Sequence, residues 1–362
     1  MNESILDDAK IRTRLDAWLA TRLTALGTLR VLRIDRPASA GIASETLLLE
    51  TEMGQHPGPG LVVRLNRDNA LYPDSDLRLH AHMYERVGLT SSIPVPRVHA
   101  VELDCSILGH PFMVVERLAG RAPPDRPNFN FHGWLCDLSA EDRATVWREA
   151  VATMSAFHSL SSDQFPELKR RIKTADGLRA SLDYWIGYGN WCHGFKLPIM
   201  RKAAEWLHAH LPPTSHPSRQ LSWGDARLQN LLFDGTRCTG LLDWDMVSLA
   251  GAEADLAWWA LADHKNTASR GKSRLEGLGS PAETIRLWES MSGRKTMHFD
   301  WHLVFASFRQ ALITIRLIEI TSGKNALFEN GTEAPIGIQW ISCLLGIPLQ
   351  GELTQPFVGL EK

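Results

Sequence analysis

Cysteine is scarce and scattered in this sequence. There are five (Cys105, Cys136, Cys192, Cys238 and Cys343), an odd total with no Cys-x-x-Cys pair. That excludes a disulfide framework and points to reduced thiols in a cytoplasmic setting. An excess of charge of one sign is missing too. The 39 Lys and Arg against 41 Asp and Glu leave a net charge of -2, so no global field collects nucleic acid or polycations. Long apolar runs are absent: the most apolar window, Trp301 to Ile320, contains Arg309, Gln310, Arg316 and Glu319. Each charged residue would cost about 2.5–3.5 kcal/mol at a bilayer centre, so this window reads as a core helix, not a membrane span. The first residues, MNESILDDAK, are acidic where a leader is basic and then apolar, so neither a signal nor a transit peptide is expected. No repeat or low-complexity tract appears.

What is present is ordinary globular material, 44% hydrophobic and 22% charged over 362 residues. That is too long for one core and suggests two domains. Ile11, Leu15, Trp18, Leu19 and Leu23 recur at helical spacing, the apolar stripe of a helix that docks on something. From Thr28 the texture changes to strand-like runs, LRVLRI, ETLLLE, LVVRL, PRVHAVEL and PFMVVERL. One helix interrupts them at Asp76 to Val87, with Leu77, Ala81, Tyr84 and Val87 on one face. After Gly120 and the Pro-rich RAPPDRP connection, helical signals dominate. The expectation is α+β, with residues 1–118 forming a small antiparallel five-stranded sheet with one inserted helix, and 119–362 a mostly helical domain.

In the second half, Ser139 before Glu141 and Asp142, and Ser280-Pro281-Ala282-Glu283, read as helix starts. Leu231 to Leu242 reads as a hairpin turning at Asp234-Gly235. Several apparent motifs fail on their context. NTASRGKS (Asn266 to Ser273) ends like a P-loop but lacks its first glycine and any preceding strand, so it reads as a loop. GYGNWC (Gly187 to Cys192) is one glycine short of a dinucleotide fingerprint and follows helical sequence. His80 and His82 point to different faces of one helix and suggest no zinc site.

The informative constellation is Asp225, Asn230 and Asp243 in WGDARLQN and LLDWD. Phosphoryl transfer from ATP needs a group that orients the acceptor hydroxyl and oxygen ligands that hold Mg²⁺ on the phosphates. A lone Asp in a polar loop is far more often a turn residue. An Asp, an Asn five residues on and a second Asp after a short hairpin together match that chemistry.

These motifs resemble those of the aminoglycoside phosphotransferase and choline kinase-like family, which shares the two-lobe protein-kinase fold. The resemblance extends to GIASETLLLE, VVRL, PVPRV, FMVVERLAG, MSAFHSL and AEADLAWW. The texture is most similar to bacterial phosphotransferases related to acyl-CoA-dehydrogenase-associated kinase domains. It implies Asp225 as the catalytic base, Arg227 as its helper beside the transferring phosphate, and Asn230 and Asp243 as Mg²⁺ ligands. It also implies ATP contacts from Ser44 in the Ala40–Ser44 turn and from Arg64 on the phosphates. Glu116 to Leu118 would be the hinge that reads adenine.

Three positions depart from the family. Arg64 stands where Lys is usual, His80 or Glu85 or neither pairs with it, and Trp223 replaces a His two residues before Asp225. Asp255 reads as a helix N-cap, and Trp185, Tyr188, Trp191, Trp258 and Trp259 are aromatic candidates for the acceptor pocket that at helical spacing are more often core. The implied function is ATP-dependent O-phosphorylation of a small molecule, a hydroxy acid or hydroxyacyl-CoA by the nearest resemblance. An antibiotic phosphotransferase is the second reading, and a catalytically silent nucleotide-binding pseudokinase the third. No nucleic-acid or membrane partner is expected, and oligomeric state is left open.

Overall fold

Asp7 opens the first helix, α1 (Asp8–Arg22), by accepting a hydrogen bond from the Lys10 N–H at 2.8 Å. This satisfies one of the orphan donors of the first turn. The structure, a computed structural model, describes residues 7–24, 27–37, 44–67, 71–172, 176–213, 221–323, 334–349 and 353–361. The chain divides into two compact units, Met1–Ala119 and Gly120–Lys362.

In the first unit the strands are β1 (Leu29–Asp35), β2 (Ser44–Met53), β3 (His56–Pro57), β4 (Leu61–Asn66), β5 (Val98–Glu102) and β6 (Phe112–Glu116). They form one antiparallel sheet in the order β1-β2-β4-β6-β5, with the two-residue β3 paired to β2. The five expected strands are there, and β3 is an addition too short for alternation to reveal. On β4, Leu61, Val63 and Leu65 are buried while the residues between them are half-buried, the period-2 pattern of a sheet with one dry face. That dry face, with Leu29, Leu47 and Phe112, receives Ile11, Leu15, Trp18, Leu19 and Leu23 of α1 and its end. The docking expected of the N-terminal helix is thereby met. The inserted helix α2 (Leu77–Thr90) buries Leu77, Ala81, Tyr84 and Val87 as anticipated. A one-turn helix, α3 (Cys105–Leu108), joins β5 to β6.

The second unit is largely helical, as expected. It contains α4 (Trp134–Asp137), α5 (Ala140–His158), α6 (Pro166–Arg171), α7 (Gly177–Trp191) and α8 (Pro198–Ala209). After the hairpin β7 (Leu231–Asp234) and β8 (Arg237–Leu241) come α9 (Ala252–Asn266), α10 (Pro281–Ser292), α11 (Phe299–Ser322) and α12 (Ile336–Leu345). Ser139 caps α5, and Ser280 with Glu283 forms a reciprocal capping box on α10. The hairpin turns on Gly235 at φ +59°, closed by the pair Asp234 and Arg237, so its central residues are Gly235 and Thr236. A glycine with positive φ at the first central position is what a type II′ turn requires. The apolar window of the sequence is α11, buried along most of its length and packed against α8, α9 and α12. Among the described residues no helix is long and apolar enough to cross a membrane.

Candidate functional site

Asp225, Arg227 and Asn230 lie on one short loop that ends in a 3-10 turn, Leu228–Asn230, just before β7. Gly224 makes the loop possible. Its φ is +96°, and a Cβ there would stand 2.0 Å from the Met246 carbonyl oxygen, so no other residue fits without moving the backbone. The Gly224 carbonyl accepts a 2.6 Å bond from Arg309 of α11. Arg309 is 1% exposed, and its guanidinium lies 4.7 Å from the centre of the Trp258 ring, a cation–π arrangement.

The Asp225 carboxylate is oriented by side chains from three places. Oδ1 accepts from Trp258 Nε1 at 2.7 Å, and Oδ2 accepts from Asn230 Nδ2 at 2.7 Å and Arg227 Nε at 3.0 Å. The side chain keeps 16% of its exposure, so it is fixed and still within reach of solvent. Arg227 is shared with a second carboxylate. Its terminal nitrogen donates to both oxygens of Asp125, at 3.0 and 2.8 Å, and Gln229 Nε2 adds a 3.0 Å bond to Asp125. Burial would lower the pKa of the guanidinium, but Asp225 and Asp125 outweigh it and raise the value above its ordinary level.

The hairpin brings Asp243 beside Asn230. Leu231 pairs with Leu241, and the Leu242 N–H donates to the Asn230 carbonyl at 3.0 Å, so the residues at the open end are neighbours. Asp243 adopts φ +66°, a left-handed conformation that Asp tolerates better than most residues and that concentrates at functional sites. Asn230 Nδ2 is committed to Asp225, so its Oδ1 is the amide's oxygen donor; the Asp243 carboxylate supplies further hard oxygens, one of which accepts from the Asp245 N–H at 3.2 Å. Among the described residues no group of three or more His, Cys, Asp or Glu is arranged for a metal ion. A cation here would complete its shell with oxygens from outside the chain, as Mg²⁺ commonly does with water and phosphate.

Behind the loop stands Asp255, fully buried in the first turns of α9. The expectation that it caps the helix is wrong: the N-cap position is Gly251, no side chain caps it, and Asp255 lies inside the helix. Its Oδ1 accepts from Ser222 Oγ and Gly224 N, both at 2.8 Å, and its Oδ2 from Trp223 N at 2.6 Å and His158 Nε2 at 2.8 Å. Trp288 Nε1 donates to His158 Nδ1 at 3.0 Å, which assigns the imidazole proton to Nε2, facing the carboxylate. A buried carboxylate is tolerated when its lone pairs are filled in this way. Sequence patterning could not tell this role from capping, because the donors lie far away in the chain.

Trp223 is completely buried, and its Nε1 donates to the carbonyls of Leu242 at 2.8 Å and Asp243 at 2.9 Å. The indole therefore ties the Asp225 loop to the Asp243 backbone. Trp258, expected to be core, is a direct partner of Asp225. Asp125, hidden in the Pro-rich connection, carries no sequence signal that marks it as a candidate.

In the first unit, Arg64 is half-buried on β4 between the buried Val63 and Leu65, and so belongs to the opposite face of the sheet from those two. It pairs in register with Thr46 of β2 and Met113 of β6. Ser44 is buried and begins β2, paired with Asn66, whereas residues 40–43 of the expected nucleotide-covering turn lie outside the described residues. His80 is buried in α2 and Glu85 is exposed on it. Glu116 ends β6 and accepts from the Arg97 N–H at 3.3 Å, and Leu118 is half-buried just beyond.

The family model for the phosphotransferase enzyme family matches residues 35–293. Human acyl-CoA dehydrogenase family member 11 is 24% identical over 302 residues, covering 81% of this chain and 37% of that protein. Mouse acyl-CoA dehydrogenase family member 10 is 26% identical over 263 residues, covering 70% and 24% respectively. The chain thus spans about a third or less of the length of these curated relatives. Among solved structures, one from Ralstonia eutropha assigned as an aminoglycoside phosphotransferase superposes with a TM-score of 0.62 at 19% identity, covering 89% of this chain and 91% of that one. A macrolide 2′-phosphotransferase from Brachybacterium faecium superposes with a TM-score of 0.53 at 15% identity, covering 88% and 99%. At such identities these two likenesses establish the kinase-like fold.

Proposed function

The chain belongs to the phosphotransferase enzyme family, and from that premise we propose that it transfers the γ-phosphate of ATP to a hydroxyl group of a small molecule. The observation that carries this reading is the Asp225 carboxylate, held by Trp258, Asn230 and Arg227 on a loop whose Asn230 the hairpin sets next to the Leu242–Asp243 backbone. Asp225 orients the acceptor hydroxyl and takes its proton as the oxygen attacks the γ-phosphorus. The bond from that phosphorus to the bridging oxygen breaks, leaving a phosphate monoester and ADP. Arg227 offers positive charge two residues from Asp225 while Asp125 keeps its fork oriented. Asn230 and Asp243 are the residues that would hold Mg²⁺, whose part is to screen the phosphate charge. Arg64, Ser44, Glu116 and Leu118 are proposed for nucleotide contact on the family resemblance. The acceptor class proposed is a hydroxy acid or its thioester, in keeping with the acyl-CoA dehydrogenase names of the relatives.

The test is ATP consumption with Mg²⁺ across a panel of hydroxylated metabolites that includes CoA thioesters. Turnover should appear with one acceptor class, vanish on chelation of Mg²⁺ and vanish in Asp243→Ala with its melting temperature preserved. Undiminished turnover in Asp243→Ala would refute the metal assignment. ADP binding without phosphorylation of any acceptor would favour a silent nucleotide-binding module.

A further inference from the structure

The segment that closes α9 and runs on from it has no part in the chemistry above, yet it is strongly charged. Lys265 lies in the last turn of α9, Arg270 ends the 3-10 turn Ala268–Arg270, and Lys272 follows Gly271. All three are exposed. The neighbouring Arg274 is engaged by Asp263 at 2.9 and 2.6 Å. No such carboxylate meets Lys265, Arg270 or Lys272 among the described residues, where Lys272 lies 6.0 Å from the Phe131 ring and Arg270 Nε donates to the Lys265 carbonyl. The negative end of α9 accounts for a cation in its last turn. It does not account for two more beyond the helix, where that field has fallen away.

The loop is ordered. Thr267 Oγ1 donates to the Asp263 carbonyl at 2.8 Å, Ser269 Oγ to that of Lys265 at 2.9 Å, and the Lys272 N–H to that of Thr267 at 3.3 Å. It is also clamped to the connection that carries Asp125. Asn128 Nδ2 donates to Asn266 Oδ1 at 2.6 Å, Asn130 Nδ2 to the Ser273 carbonyl at 2.8 Å, and the Leu275 N–H to Asn130 Oδ1 at 3.0 Å. Lys265 follows Trp258 by seven residues on α9, hence on the same face and about 10 Å further along the axis. Trp258 is one of the three residues that hold Asp225. Although its surface is exposed, Lys265 is packed closely enough that lost hydration, then Arg227, lower its pKa, against the opposing pull of Asp125 and Asp225. Like charges gathered on a rigid loop repel one another, and an anion from outside relieves that repulsion.

We infer that Lys265, Arg270 and Lys272 form an anion-binding subsite for the acceptor. The molecule phosphorylated at Asp225 is then a hydroxylated anion, with its carboxylate or phosphate group resting on this cluster while its hydroxyl meets Asp225. The inference rests on the phosphotransferase reading and sharpens it, because a polycationic acceptor would be repelled at the same place.

Calorimetric titration of the full chain with sodium pyrophosphate in metal-free buffer, with and without saturating ADP, tests this. Wild type should bind pyrophosphate in both conditions, more weakly as NaCl is raised. The variant Lys265→Ala/Arg270→Ala/Lys272→Ala should bind it at least ten-fold more weakly with an unchanged melting temperature, and Lys265→Arg/Lys272→Arg should retain binding. Equal affinity in wild type and the triple variant, or no binding to wild type, would overturn the subsite. Pyrophosphate binding abolished by ADP would assign the cations to the nucleotide phosphates and overturn the acceptor role. Pyrophosphate binding in a protein that fails to bind ADP even when Mg²⁺ is supplied would remove the phosphotransferase reading, and the acceptor role with it.

Discussion

Asp225 and Asp255 take comparable numbers of hydrogen bonds within one unit, and the difference between them lies in where the donors come from. Asp255 is wholly buried and filled by Ser222 Oγ, two backbone N–H groups and His158. It holds the loop's backbone and has no capacity left for chemistry. Asp225 keeps some exposure and is held by the side chains of Trp258, Asn230 and Arg227. It is oriented without being enclosed. A carboxylate that shapes a loop commits its lone pairs to backbone, whereas one placed to receive a proton keeps access to the space in front of it.

The comparison breaks most visibly at the buried end. Asp255→Ala leaves the two N–H groups and the imidazole without an acceptor, and should cost about 3–5 kcal/mol, the range for removing one partner from a buried charged network. Urea denaturation checks this, and a loss under about 1 kcal/mol would mean that Asp255 does not organise the loop. Acid should sharpen the same contrast. Burial holds His302 down to about 3 and His264 down to about 4, both below the ordinary 6.5. The unfolded chain then binds more protons as pH falls through about 6.5, so stability is fullest above that value and declines toward about pH 4. The slope is up to about 1.4 kcal/mol per pH unit for each imidazole. Replacing both with Gln should flatten it; an unchanged slope would contradict the assignment.

Trp223→Phe keeps most of the volume and removes the N–H shared by the Leu242 and Asp243 carbonyls. A cost of about 1–3 kcal/mol is expected in thermal unfolding. Mg²⁺-dependent activity should weaken as well, because the Asp243 backbone loses its tie to the loop. A stable but unaffected enzyme would show that the tie is incidental. The smallest effect on stability belongs to the opposite pole: Asp225→Asn should change the unfolding free energy by about 1 kcal/mol or less, since Arg227 keeps Asp125. Global unfolding of Asp225→Asn would erase the distinction between the two carboxylates.

Much of this is legible in the sequence where the signal is local. The α1 stripe from Ile11 to Leu23, the alternation in Leu61 to Leu65, the Ser280 capping box and the hairpin around Gly235 each follow from period or turn chemistry. Asp225, Asn230 and Asp243 stand out because their spacing is itself the signal. Asp125, Trp258 and the true role of Asp255 are not legible, because their partners lie far away in the chain. An Asp between prolines reads as a turn, a Trp in a buried helix reads as core, and an Asp near a helix start reads as a cap. Only three-dimensional proximity separates those readings from a functional one. The basic run from Lys265 to Lys272 resists reading for the same reason, since only the folded chain shows that no carboxylate forms an ion pair with it among the described residues.

The central claim is that Asp225 receives the proton of an acceptor hydroxyl. Mass spectrometry of a metabolite extract incubated with ATP, Mg²⁺ and either wild type or Asp225→Asn tests it most directly. The account predicts one or more hydroxylated anions gaining a single phosphoryl group with wild type. With Asp225→Asn the rate of that gain should fall about 10²- to 10⁴-fold, the usual contribution of a positioned general base. Equal product formation by the folded variant would contradict it.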